Sequence, residues 1–252
     1  MTGINRNIII DCLKERLEPL HFVYAMWLEG ADAVCAVDEY SDIDIWVDFE
    51  DAYEEEAYQA VESALSEISA IDYKYVVKHS HPKIRQRIYH LKGSSEYLMI
   101  DFCWQLHSRP SGESEFVKSD MIERVKVLFD KANVLRFVEP DPSKYEGWSA
   151  ERLEECKYRY SQLSRVRKYV LRGHYLEAYA YYNRYVLEPL VDMLRLIYTP
   201  AHADHYLIHI SQHIPKEEIN KLEYFAQIAS LDDISERISL AEKWFNELLG
   251  KL

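Results

Sequence analysis

Two aspartates separated by a single residue, Asp42 and Asp44, stand at the start of an alternating segment. Every second residue from Ile43 to Phe49 is apolar, which predicts a strand with one buried face. Alternation places the two aspartates on the same face of that strand, roughly 7 Å apart at Cα. Carboxylates at this spacing are suited to hard cations such as Mg²⁺, which prefers oxygen ligands.

A third acidic residue, Asp101, interrupts the apolar run from Leu98 to Phe102. A carboxylate in such a run is costly unless it is paired or bound to a metal. We therefore predict that Asp101 lies on a neighbouring strand and completes a metal site with Asp42 and Asp44. The alternatives are a polar strand entrance at the first two aspartates and an edge-strand acid pointing to water at Asp101.

The segments around these residues alternate between helical and strand patterns. We expect a helix that Asp51 caps and a turn at Gly93 between two strands. The predicted helices are 4–17 and 51–69, and the predicted strands are 21–28, 43–49, 73–78, 84–91 and 97–104. Strand, helix and then several strands indicate a mixed sheet flanked by helices.

The chain divides at the proline-containing segment 139–143, which is typical of a linker. We predict an α+β protein with a first domain at 1–139 and a helical bundle domain at 147–252. In the second domain Ser149 is the expected N-cap of a helix at 150–172, and Pro189 is expected to kink a helix at 175–198. Shorter helices are expected at 203–213, 216–229 and 231–249.

The pattern of Gly30, Asp42, Asp44 and Asp101 resembles a known motif. In the nucleotidyltransferase superfamily that includes DNA polymerase beta and the aminoglycoside adenylyltransferases, Gly-Ser is followed by a spacer, by Asp-x-Asp or Asp-x-Glu, and by a third carboxylate on a later strand. The second half of the chain is similar to the helical C-terminal domain of aminoglycoside or lincosamide nucleotidyltransferases in architecture and length.

The resemblance implies an enzyme that binds ATP or another nucleoside triphosphate and two Mg²⁺ ions through Asp42, Asp44 and Asp101. The implied reaction transfers a nucleoside monophosphate, with AMP from ATP as the expected case, to a hydroxyl of a small molecule. Pyrophosphate is released by a two-metal mechanism. Aminoglycosides are the leading acceptor class by this resemblance, which would connect the protein to antibiotic resistance.

One position departs from the motif, because Ala31 stands where the family has a serine that holds the terminal phosphates. The backbone N–H groups of Gly30 and Ala31 and the hydroxyl of Ser41 are the predicted replacements. The departure also supports a second hypothesis, in which the protein is a catalytically weakened or inactive nucleotide-binding, antitoxin-like protein that keeps the fold. The three carboxylates argue against it, since they repel one another without metal.

A polar stripe at helical spacing marks the start of the second half. Arg165 and Lys168 in this stripe are candidates for holding the triphosphate, and Glu154 or Glu155 is a candidate general base. The alternative is a solvated face with paired charges. The stripe consists of Glu154, Tyr158, Ser161, Arg165, Lys168 and Arg172.

Two further clusters follow in the second half. The tyrosines are expected in the bundle core, and the alternative is that some of them stack on adenine or form the acceptor pocket. The histidines are expected on a polar helix face, with a zinc site as the alternative. The clusters are Tyr175, Tyr179, Tyr181, Tyr182 and Tyr185, then His202, His205, His209 and His213.

The net charge of −13 disfavours binding to nucleic-acid phosphates. The four cysteines are widely spaced, which argues against a zinc site and a disulfide framework. We find no membrane-spanning run and no signal-peptide pattern, so we expect a cytoplasmic protein whose partners are a nucleoside triphosphate and a small hydroxyl acceptor.

Overall fold

The computed structural model describes residues 3–252, and the chain forms two compact units, Met1–Pro140 and Asp141–Leu252. The boundary falls inside the proline-containing segment of the sequence. The first unit combines a mixed sheet with helices, and the second is helical, which confirms the predicted α+β class.

Among residues 3–140 the first unit contains three α-helices and eight strands. Six strands form the main sheet in the order β3-β4-β5-β2-β1-β7, and β6 pairs with β8 in a small second sheet. In chain order the elements are α1 (Arg6–Leu17), β1 (Val23–Leu28), α2 (Gly30–Val34), β2 (Ile43–Phe49), α3 (Glu54–Ile68), β3 (Ile71–Val77), β4 (Ile84–Leu91), β5 (Ile100–Leu106), β6 (Glu115–Val117), β7 (Lys126–Asp130) and β8 (Arg136–Val138).

The two faces of β2 differ as the alternation predicts. Ile43, Ile45, Val47 and Phe49 are buried in the main core, in which buried residues of α1 and α3 also lie. Trp46 faces the other way and belongs to a small cluster around Trp27 that includes residues from the segment after β5. This division leaves Asp44 on the face opposite the main core.

Several predicted details of the first unit are wrong. Asp51 does not cap α3, because a 3₁₀ turn at Asp51–Tyr53 precedes the helix. The Asp51 carboxylate instead accepts a hydrogen bond from the Ser108 N–H and forms an ion pair with Lys83, whose Nζ is 3.0 Å from Oδ2. The strands β6, β7 and β8 were not predicted, although β7 forms an edge of the main sheet.

The second unit is built from seven α-helices joined by tight turns. A π-helical turn at Asn183–Leu187 precedes Pro189 near the start of α7, where Pro189 lacks the N–H that a regular helix would need. The helices are α4 (Ser143–Tyr160), α5 (Leu163–Leu171), α6 (Tyr175–Tyr182), α7 (Glu188–Tyr198), α8 (Ile210–His213), α9 (Lys216–Ala226) and α10 (Leu231–Leu249).

Two helix predictions in this unit are wrong. The helix expected at 150–172 is interrupted at Ser161 and Gln162, and Ser149 lies inside α4 instead of capping it. The helix expected at 203–213 is also broken, because Tyr206 and His209 adopt positive φ angles of 49° and 51°. The four histidines of the cluster, His202, His205, His209 and His213, therefore do not share one helix face.

Several aromatic residues lie among the aliphatic side chains of the second unit's core. Tyr182 is fully buried and its hydroxyl donates to the Phe225 carbonyl oxygen at 2.9 Å. Tyr160 stacks on Phe245 with ring centroids 4.0 Å apart. Burial of Tyr182 agrees with the core interpretation of the tyrosine cluster, while Tyr179 remains 44% exposed. Within residues 3–252 the structure contains no helix long and apolar enough to span a bilayer.

We expect the second unit to lose stability as the pH falls from about 6.5 towards 4, partly through His213. Burial and the Arg195 guanidinium, 3.0 Å from His213 Nδ1, lower the pKa of His213 from 6.5 to about 4. The unfolded chain therefore binds the proton first, and the loss is about 1–2 kcal/mol after solvent screening. Urea unfolding at pH 7 and at pH 5 measures this loss as a difference in the free energy of unfolding. That difference should be smaller in the His213→Gln variant than in the wild type.

Candidate active site

Parallel pairing of β2 with β5 brings Asp44 and Asp101 together. Asp44 is the register partner of Asp101, so both side chains leave the same face of the sheet on strands roughly 4.8 Å apart. Asp42 immediately precedes β2, two residues before Asp44. The predicted neighbouring strand for Asp101 is therefore β5, directly beside β2.

Burial and mutual repulsion perturb these carboxylates. Burial, followed by the charges of Asp42 and Asp101, raises the pKa of Asp44 to about 6. Burial also raises the pKa of Asp101, although the Gln86 amide opposes this shift by donating to both carboxylate oxygens at 2.8 Å. Crowded carboxylates of this kind fit a divalent cation, which would neutralise them and supply the oxygen ligation that Mg²⁺ requires.

Gly30 makes room for Asp44. It begins α2 directly after β1 and has a φ of +56°, which L-residues rarely adopt. A Cβ atom at this position would collide with the Asp44 carboxylate. The backbone N–H of Glu29 also donates to the Asp44 carbonyl oxygen at 3.1 Å, which holds the end of β1 against the start of β2.

Arg6, which the sequence did not single out, secures the loop that leads to β2. Its guanidinium donates to the carbonyl oxygens of Ser41, at 3.0 Å, and of Asp42. The same side chain forms an ion pair with buried Asp32 of α2 at 3.3 Å. Arg6 therefore connects α1 to both segments that flank the carboxylates. These contacts are distant in sequence, so no local pattern could have indicated them.

Glu29 is another residue of the site that the sequence analysis did not single out, and it is acidic. Its carboxylate accepts a hydrogen bond from Trp27 Nε1 at 2.9 Å, and burial raises its pKa to about 7. The available signal was an acid placed between the apolar strand β1 and Gly30. With Asp32, it gives the site more acidic groups than the three that the motif requires.

Replacing Arg6 by methionine is expected to destabilise the first unit by about 3 kcal/mol, because Asp32 would lose the charge that compensates its burial. Urea unfolding followed by circular dichroism measures the loss. The double variant Arg6→Met/Asp32→Asn should recover part of it, since the neutral amide needs no cation. Equal losses in the single and double variants would contradict this role for the pair.

The residues proposed for the phosphate groups are close to the carboxylates in sequence and in space. Gly30 and Ala31 form the first turn of α2. The Ser41 hydroxyl donates to the Asp38 carboxylate at 2.7 Å and accepts from the Asp38 N–H at 3.0 Å, which closes the turn before Asp42. Contact of Ser41 with phosphate therefore requires this hydroxyl to leave Asp38, and it stays a prediction.

The other candidate residues belong to the second unit. Glu154 lies on α4, where its carboxylate pairs with Lys157 at 2.7 Å and its side chain is 72% exposed. Arg165 on α5 donates to Gln162 at 3.0 Å, and Lys168 lies 4.8 Å from the centre of the Tyr169 ring. The break between α4 and α5 separates Glu154 from the two basic residues. Their roles remain predictions.

Comparison with known proteins gives structural likenesses only. No family model and no curated protein matches the sequence. Similar solved structures include an aminoglycoside 6-adenyltransferase from Bacillus subtilis, with 12% identity and a TM-score of 0.42, covering 98% of this chain and 90% of that one. A spectinomycin adenyltransferase from Enterococcus faecialis, solved with ATP and spectinomycin, has 11% identity and a TM-score of 0.34, covering 98% of this chain and 100% of the other.

Both of these solved structures are adenyltransferases. Their identities to this chain and their TM-scores are low, so the likeness names neither a substrate nor a reaction for it.

Proposed function

We propose that this protein is a nucleotidyltransferase that transfers a nucleoside monophosphate, with AMP from ATP as the leading case, to a hydroxyl group of a small molecule. The observation that carries the proposal is the pairing of Asp44 with Asp101 on one sheet face beside Gly30, with Asp42 near enough for its charge to raise the pKa of both. Nucleotidyl transfer needs such a cation-binding group next to a backbone turn that can approach phosphate.

Asp42, Asp44 and Asp101 would hold two Mg²⁺ ions. When bound, the ions neutralise charge on the triphosphate and on the leaving pyrophosphate. The remaining contributions come from the chain itself. Gly30 allows α2 to lie close to Asp44, Arg6 fixes the loop before Asp42, and Gln86 orients the Asp101 carboxylate.

In the proposed reaction the acceptor hydroxyl oxygen attacks the α-phosphorus of the nucleotide. One oxygen–phosphorus bond forms while the anhydride bond to the β-phosphate breaks, and pyrophosphate leaves with the electron pair of that bond. The acceptor proton passes to a base, for which Glu154 is the candidate. Positioning and charge stabilisation account for most of the expected rate enhancement.

Aminoglycosides and related antibiotics are the acceptors to test first. The chain carries a net charge of −13, which favours cationic small molecules over nucleic acids. The source of this choice is the pattern of Gly30, Asp42, Asp44 and Asp101, which resembles the motif of the aminoglycoside adenylyltransferases.

Ala31 and Ser41 favour a second candidate function. Ala31 offers no hydroxyl to the phosphates, and the Ser41 hydroxyl is already bonded to Asp38. A protein with these features could bind a nucleotide without turning it over, as an antitoxin-like protein would. The two candidates differ in one observable, because only the enzyme releases pyrophosphate.

Calorimetry with a non-hydrolysable ATP analogue, with and without Mg²⁺, tests the proposal. The expected result is binding that requires Mg²⁺, followed by pyrophosphate release when ATP and an aminoglycoside or spectinomycin are added. Binding without pyrophosphate release for any acceptor would favour the non-catalytic candidate. A folded protein that binds no analogue of ATP, GTP, CTP or UTP would contradict both.

A further inference from the structure

The carboxylate pair is part of a longer row of side chains across the sheet. Ile88 of β4 is the register partner of Asp101, and Tyr75 of β3 is the register partner of Ile88. Register partners in adjacent strands project from the same face. The row Tyr75, Ile88, Asp101 and Asp44 therefore lies on one face, and Tyr75 is about 10 Å from Asp101 at the usual strand spacing.

This face of the sheet is covered on one side of the carboxylates and open on the other. Over β1 and β2, Trp27 and Trp46 pack with Phe116 and Leu135 in a small apolar cluster. Over β3, Tyr75 is 54% exposed and its neighbour on the same face, Tyr73, is 48% exposed. Asp101 lies at the border between the covered side and the open side.

We propose that Tyr73, Tyr75 and Ile88 form a binding platform for the acceptor, and that this acceptor presents its hydroxyl on a ring system that stacks on the two tyrosines. The inference rests on the proposed function. Asp44 and Gly30 adjoin one another on the α2 side of the row. We therefore place the nucleotide on the α2 side of the row. The acceptor then occupies the open side beyond Asp101, over β4 and β3.

The chemistry of the platform indicates the acceptor class. Tyrosine rings present flat apolar faces with few torsions to immobilise, and their hydroxyl groups remain available to polar substituents. The platform extends about 10 Å from Asp101, which matches a compound of one or two linked rings. Strand β3 is also an edge of the sheet, so pairing with a second copy of the chain is the competing use of these tyrosines.

Nuclear magnetic resonance can test the platform before the natural acceptor is known. The full-length protein is loaded with Mn²⁺ and a non-hydrolysable ATP analogue, so that paramagnetic broadening identifies compounds bound near the carboxylates. The probes are myo-inositol, glucosamine, 2-deoxystreptamine and spectinomycin. We expect broadening of ring protons for at least one probe and at least a tenfold loss of affinity in Tyr73→Ser/Tyr75→Ser.

Two variants serve as controls. Tyr73→Phe/Tyr75→Phe retains the rings and should keep most of the affinity. Val76→Ser changes the same strand on the opposite face, where Val76 is 59% exposed and is the register partner of Arg87. It should leave probe binding unchanged. Binding of the nucleotide analogue should be equal in all variants.

Three results would overturn the platform. One is a loaded protein that broadens none of the probes, and another is broadening that the serine variant leaves unaltered. The third is a wild-type dimer that both the serine variant and Val76→Ser dissociate in sedimentation experiments, which would assign β3 to pairing of copies. Failure of the proposed function itself is recognised separately, because the nucleotide analogue would then not bind at all.

Discussion

Asp44→Asn is expected to abolish magnesium-dependent nucleotide binding and to lower nucleotidyl transfer roughly a thousandfold or more. Asp44 is the register partner of Asp101, and the charges of Asp42 and Asp101 both raise its pKa. An amide keeps the shape of the side chain but removes the charge that attracts the cation. Calorimetry with the ATP analogue and a pyrophosphate assay measure the two losses.

The same substitution should stabilise the metal-free protein. The folded pKa of Asp44 is about 6, above its ordinary value of 3.8, so stability is lost as the pH rises through that window. At pH 7.5 the ionised carboxylate costs at most about 3 kcal/mol, which the amide avoids. We expect Asp44→Asn to melt at a higher temperature than the wild type in EDTA.

Asp48→Asn is the matched control, since Asp48 is a buried acid on the same face of β2. Burial raises the pKa of Asp48 as well, but its carboxylate accepts hydrogen bonds from Gln105 and His107, both at 2.7 Å, which an amide would weaken. Its replacement should therefore gain less stability than Asp44→Asn and leave magnesium-dependent binding intact. An Asp44→Asn variant that still binds the nucleotide with Mg²⁺, or that melts below the wild type in EDTA, would contradict the prediction.

Gly30→Ala has the second largest expected effect. An alanine at a φ of +56° costs about 1 kcal/mol, and its Cβ must also displace the Asp44 carboxylate. Displacement of this order within a catalytic site reduces rates by about a hundredfold. We therefore expect a large loss of nucleotide affinity and of transfer, measured by the same calorimetric and pyrophosphate assays.

Gly93→Ala separates the two causes. Gly93 also has a positive φ, of +87°, but a Cβ atom there would meet no atom within 4 Å. Gly93→Ala should therefore lose only the small amount of stability that a positive φ angle costs an alanine, and its nucleotide binding should be unchanged. Equal nucleotide affinity and equal transfer rates in Gly30→Ala and Gly93→Ala would show that the close approach of Gly30 to Asp44 does not matter for function.

The sequence predicted those parts of the site whose signals are local. The alternation in β2 placed Asp44 opposite the main core, and the apolar run around Asp101 indicated a strand that could lie beside it. The first inference follows from a period of two, which the buried side of the sheet enforces. The second follows from the cost of a carboxylate inside an apolar run. The division of the chain near residue 140 was also visible, because proline disrupts both helix and strand.

The parts that were missed depend on distant contacts or on short elements. Arg6 reaches its partners from another helix, and Glu29 acquires its raised pKa only when the fold buries it. The short strands β6 and β8 have too few residues for a period to be recognised. The break at Ser161 was invisible because α4 and α5 together continue a regular polar stripe.

The parallel pairing of β2 with β5 has a consequence for how the protein folds. Helix α3 and strands β3 and β4 lie between β2 and β5 in the chain, so the proposed metal site is assembled from distant segments. Such pairings form late and slowly in folding, because the closure of a long loop precedes any gain from contact. Magnesium should therefore act chiefly on the native state, slowing unfolding while leaving the rate of refolding nearly unchanged.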